Sequence, residues 1–375
     1  MRFGLALLSF GLFAALPAPG ANTPKAMRDA FDALSNIQAV LNAEGGVKIG
    51  DVRFFLKRDF ARLAALKHSL PKDMVDKDPA VAIALQSYLA QVANAKEELL
   101  NVHLDEARLL VQGMTATCFA CHTSTAPVAY EDIRKRTRHF KSDDWQKAEY
   151  LSSTRQTKEA MEMYRLLFDK NVNIAADPFR RARALKRVLT ILVRIDGDPK
   201  ATVTELEKLA SDKSNLDPTE RELATAWLED AKYWRDSDHV SVEDLSGSGL
   251  MKVARRLYDR SVSLRRASDS GNGELSALRA TALMHEALRR GLSGEERGEG
   301  LLLLGLSYRE ITDPAFARLD GAFLEACIRE NAGKPVARKC YDAYYRDISR
   351  SLFAPRGRRD VSDELRKLAE PKAKP

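Results

Sequence analysis

Residues 118–122 read Cys118-Phe119-Ala120-Cys121-His122. On a helix, positions i, i+3 and i+4 lie on one face, so two thiols and an imidazole project together. Few groups take up all three. A structural zinc would need a second Cys/His pair at suitable spacing, and none stands nearby. A thioredoxin-like redox pair would need a βαβ setting, whereas the flanking sequence has helical periodicity. The spacing C-x-x-C-H is the attachment signature of c-type haem. Two thiols add to the two vinyl groups on one porphyrin edge, and the adjacent imidazole turns under the ring to the iron. Cys118 and Cys121 are therefore expected to hold the cofactor, with His122 as proximal iron ligand. The motif occurs once, which implies one covalent haem c.

The start of the chain agrees with this reading. Residues 1–21, MRFGLALLSFGLFAALPAPGA, begin basic at Arg2, continue apolar from Leu5 to Leu16 and end small at Ala18, Gly20 and Ala21. This is the layout of a secretory signal peptide. The apolar run is shorter than the ~20 residues that span a bilayer. No later segment is long and apolar enough to cross one, so no transmembrane segment is expected after cleavage. The mature protein is expected to be periplasmic or otherwise exported, where disulfides form. A net charge of +7 on 375 residues is a mild bias and gives no reason to expect nucleic acid.

Four helical segments precede or carry the motif. The first, about Pro24 to Asn42, stripes Met27, Phe31, Leu34, Ile37 and Leu41 along one side. The second is expected to be capped by Asp51 and to end at Ser69 before Pro71. The third opens at Asp78-Pro79, an N-cap followed by a first-turn proline. The fourth runs from about Leu104 through Leu109, Leu110 and Met114 into the motif, and Pro127 ends it. Short connections between such helices make a bundle whose core can hold a cofactor. With the attachment motif closing the last helix, residues 22–126 resemble the class II cytochromes c, the c′ and c556 group. That resemblance implies a four-helix bundle in residues 22–130 and an iron face approached from the first helix. In the c556-like branch a methionine there completes the coordination; in the c′ branch the face stays open to small gases. Met27 is the methionine on the first helix, and the resemblance makes it the candidate distal ligand. Met114, two turns before His122 on the same helix, does not suit the far face. His68, His103 and His139 read as surface or bundle-edge histidines.

Residues 131–144, EDIRKRTRHFKSDD, read as a basic linker in which Arg134, Lys135, Arg136, Arg138 and Lys141 cluster. It is either a solvated connection or a docking patch for an acidic redox partner. From 145 to 352 the chain reads as helix pairs. Ala148, Leu151, Ala160 and Tyr164, and again Leu304-Gly305-Leu306-Ser307-Tyr308, have tetratricopeptide-like spacings. Breaks are expected at Gly197-Asp198-Pro199, Ser246–Gly249, Ser270–Gly273 and Gly333–Pro335. The expected fold class is thus all-α, a haem bundle followed by an α-solenoid with a concave binding face. Cys327 late in one helix and Cys340 early in the next fold back at the turn 331–335, which predicts a disulfide. Residues 353–375 read as a tail with a loosely attached helix.

These readings combine into an exported electron carrier with a redox partner protein and a second protein partner on the array. Alternatives are a haem-based gas or redox sensor with an open sixth site, and an assembly protein whose haem is accessory. Catalysis is less favoured. A two-haem peroxidase would need a second attachment motif, and no Walker loop or H-E-x-x-H site is present.

Overall fold

In a computed structural model of the protein, the described residues are 23–41, 49–70, 72–107, 110–111, 113–114, 117–118, 144–153, 155–168, 178–211, 213–237, 242–267, 273–316, 319–350 and 358–370. The expected signal peptide, Cys121, His122, His139 and the basic cluster from Arg134 to Lys141 lie outside them. Among the described residues every regular element is helical.

The first group comprises α1 (Thr23–Leu41), α2 (Ile49–Ser69), α3 (Lys72–Lys77) and α4 (Pro79–Leu100). Helical positions follow at 104–107, 110–111, 113–114 and 117–118. α4 opens as its sequence dictates. The Asp78 carboxylate accepts the backbone N–H groups of Ala80 and Val81 at 3.0 and 3.3 Å, with Pro79 in the first turn. α4 ends in a Schellman turn. His103 N–H donates to the Glu98 carbonyl and Val102 N–H to that of Leu99, at 2.8 and 3.2 Å. Two details differ from the sequence expectation: α2 starts at Ile49, ahead of Asp51, and α3 fills the break after Pro71. Ala33 and Ile37 of α1, Phe60 and Leu63 of α2, Val92 and Leu99 of α4, and Val111 and Met114 share one buried core.

The second group comprises α5 (Asp144–Ser153), α6 (Thr157–Leu166), α7 (Pro178–Ile191), α8 (Pro199–Ala210), α9 (Pro218–Ser237), α10 (Gly247–Ala267), α11 (Glu274–Arg289), α12 (Gly294–Arg309), α13 (Leu319–Glu330), α14 (Pro335–Arg350) and α15 (Arg358–Ala369). A π-helical turn, Leu192–Asp196, continues α7, and Gly197 ends it with a left-handed φ of 61°. Successive helices pack in pairs. Contacts also link α10 to α12 and α12 to α14 in a row, and link α9 to α11 and α13 to α15. The glycines at 247 and 249 do not interrupt the chain as expected. Ser246 Oγ accepts Gly249 N–H at 3.1 Å, and this cap starts α10 at Gly247. α12 and α13 approach closely at Gly305, where a Cβ would lie 2.7 Å from Leu324. Tyr308 then stacks on Phe323 at 5.4 Å between ring centres. The Leu-Gly-x-x-Tyr spacing therefore records where these two helices touch.

Contacts in the array also run beyond neighbouring pairs. α7 and its π turn pack against α11, and α4 of the first group packs against α11 and α13. α11 is accordingly buried around most of its circumference, including Glu274, Arg279 and His285. The first group's α1 also meets α5, where Phe31 and Tyr150 stand edge to face at 4.1 Å. The C-terminal helix is not loose. Leu365 and Ala369 of α15 are fully buried, Gly333 N–H donates to the Leu368 carbonyl at 2.9 Å, and Arg329 pairs with Glu364 at 2.6 Å.

Candidate functional site

Cys118 lies at the edge of the first core, half-buried and packed against it. A hydrogen bond from α4 fixes the residue before it. Gln91 Nε2 donates to Thr117 Oγ at 3.1 Å, and Thr117 Oγ lies 3.0 Å from the Gly113 carbonyl one turn back. Both side chains are buried, so each polar group is satisfied by the other and the residue before Cys118 is fixed to α4. Tyr88 sits one turn earlier, its hydroxyl 3.5 Å from the Leu63 carbonyl of α2. Burial first, and the neighbouring Cys118 sulfur second, hold the Tyr88 phenol far above its ordinary range. It stays a neutral donor at any physiological pH.

Met27 of α1 is half-buried and packs against the same core as Cys118. The first motif thiol and the candidate distal methionine thus pack against the same core. Cys121 and His122 lie outside the described residues. Met114 is fully buried within that core. His68 and His103 are exposed, and His103 Nδ1 lies 2.7 Å from Glu98. Both are surface histidines, as expected. Among the described residues no group of three or more His, Cys, Asp or Glu side chains clusters as a metal site. Cys327 of α13 and Cys340 of α14 form the expected disulfide, with Cα atoms 6.2 Å apart.

Sequence reasoning missed two buried polar clusters in the array. Arg187 of α7 is 3% exposed. It pairs with Glu149 of α5 at 2.9 Å and with Asp313 in the loop after α12. Glu149 also accepts the Tyr164 hydroxyl of α6 at 2.6 Å. The backbone N–H groups of Thr312 and Asp313 donate to the buried Glu274 at 2.9 and 3.2 Å. Burial dominates at Glu274 and raises its carboxyl above the ordinary value. The second cluster joins His285 Nε2 to Tyr308 Oη at 2.5 Å, with Arg194 Nη1 3.3 Å from the same hydroxyl. Burial first, then Arg194 and Arg289, keep His285 well below its ordinary pKa and hence neutral. Arg187 and Asp313 are 126 positions apart, so no local pattern announces their pairing. The tyrosine of the Leu-Gly-x-x-Tyr spacing was the one available signal for the second cluster.

Compared with known proteins, the chain matches no family model, no curated protein and no solved structure.

Proposed function

We propose that the chain is an exported monohaem c-type cytochrome that carries electrons, and that its helical array docks a protein partner. One observation carries this reading: the motif Cys118-x-x-Cys121-His122 enters on helical positions whose first thiol packs on the same core as Met27. The donor set would suit a c-type haem: Cys118 and Cys121 could form the thioether bonds, and His122 and Met27 could supply iron ligands. The resemblance to class II cytochromes c adds the bundle, to which α1, α2, α4 and the helical positions before Cys118 would correspond. When bound, the haem supplies a one-electron iron couple whose potential depends on its axial ligands.

The chain's own residues then have positional roles. Gln91 and Thr117 fix the approach of Cys118, and Tyr88 lines that edge of the core as a neutral phenol. Met27 is presented from α1 on an apolar wall, which disfavours water as a competing ligand. Because α4 packs on α11 and α13, we assign the partner face of the array to the opposite side, where α10 and α14 expose side chains such as Lys252, Arg256, Arg338 and Tyr345.

Spectroscopy of the haem-loaded protein tests the reading. The expected result is a low-spin, six-coordinate spectrum unaffected by carbon monoxide, turning high-spin in Met27→Ala. A wild-type protein that is high-spin and binds carbon monoxide would overturn electron carriage in favour of the open-site sensor.

A further inference from the structure

Two adjacent phenylalanines stand exposed on the outer face of α2. Phe54 is 74% exposed and Phe55 52% exposed, with their rings edge to face at 5.9 Å. Phenylalanine has no polar handle, and two adjacent rings in water are an exposed apolar patch in want of a cover. The neighbours one turn on from Phe54, Lys57 and Arg58, are exposed, as are Arg53 and Arg62. The Arg58 guanidinium lies 5.4 Å from the Phe55 ring centre. Between residues 53 and 68 the single acidic residue is Asp59, which is buried. It accepts Asn36 Nδ2 at 3.2 Å and faces both Arg58 and Arg62 at 3.5 and 3.4 Å. One carboxylate thus serves two guanidiniums, and the face keeps a positive excess. Along the same face the helix continues in exposed Ala61, Ala64 and Ala65, so nothing bulky lifts it from a flat surface.

We infer that this face of α2 docks on an anionic phospholipid surface, with Phe54 and Phe55 entering the headgroup boundary and the flanking cations meeting phosphates. The charge pattern selects this occupant. A second copy of the chain would bring like charge against like charge. The phenyl rings need an apolar phase ringed by anions, which a lipid surface supplies beneath its headgroups. No described helix is long and apolar enough to cross a membrane, so this is attachment in the interfacial plane. The inference is independent of the haem.

The test is co-sedimentation of the full chain with phosphatidylcholine vesicles, with and without phosphatidylglycerol, at low and high salt. Binding should require phosphatidylglycerol and weaken as salt rises. The double variant F54S/F55S should bind the anionic vesicles at least tenfold more weakly at unchanged helix content. K57E/R58E should lose binding while keeping both rings. Failure of the wild type to bind anionic vesicles would overturn the inference and leave the face to an acidic protein. Equal binding by F54S/F55S would also overturn it, assigning the lipid contact to another segment.

Discussion

Val102 occupies the left-handed region, with φ of 66°, at the C′ position of the α4 Schellman turn. A β-branched side chain there crowds its own backbone, where glycine does not. It is 61% exposed, so its loss forfeits little packing. Val102→Gly should stabilise the protein by about 1 kcal/mol in urea unfolding; a loss of stability would contradict the strain argument. Gly273 presents the opposite case. Its φ is 98°, and a Cβ there would lie 2.4 Å from the Ser261 carbonyl, so any side chain would push α10 and α11 apart. His285 gives a pH signature. Its folded pKa lies well below the ordinary value near 6.5, so the unfolded chain binds the proton first. Stability is therefore complete above pH ~6.5 and falls as pH drops toward the folded pKa, by up to ~1.4 kcal/mol per pH unit. His285→Gln should flatten that slope in unfolding measured from pH 7 to pH 5; an unchanged slope would place its cause elsewhere.

Helix ends were legible where a cap has local chemistry. Asp78-Pro79 and Gly197-Asp198-Pro199 each mark a start, because the aspartate carboxylate accepts the first free N–H groups. The α13–α14 hairpin was legible through its two cysteines, since the turn between them sets the thiols opposite. Ser246 was misread because two glycines outweighed one cap in the pattern, whereas the cap's hydrogen bond governs the backbone. The buried ionic cluster had no local trace at all. Arg187 joins α5 and α7 to the loop after α12 and is enclosed on every side. Arg187→Met should cost about 3–5 kcal/mol, because Glu149 and Asp313 would remain buried without their cation. Adding Glu149→Gln and Asp313→Asn should recover part of that loss. A single variant as stable as the wild type would show that the cluster does not lock the array.

At the scale of the whole chain, the all-α class followed from periodicity, and the buried residues form two cores, the larger of which takes in Ala80 and Ile83 of α4. The packing of α4 onto the array was not legible. α4 carries Tyr88 and Gln91 toward the motif at one end and buries Ala80 and Ile83 among array residues at the other. The amphipathic pattern of α4 records that it is buried, but not by which partner. One helix therefore packs against α11 and α13 and also carries the residue, Gln91, that holds Thr117 beside Cys118. The proposed attachment rests on the motif, in which Cys121 and His122 would complete the set that Cys118 begins. The most direct measurement is the visible spectrum of the exported protein after extraction with acidified organic solvent, which removes haem held only by coordination. The account predicts that the haem absorption stays with the chain and that it is lost when Cys118 and Cys121 are replaced by alanine. A colourless chain after extraction would contradict it.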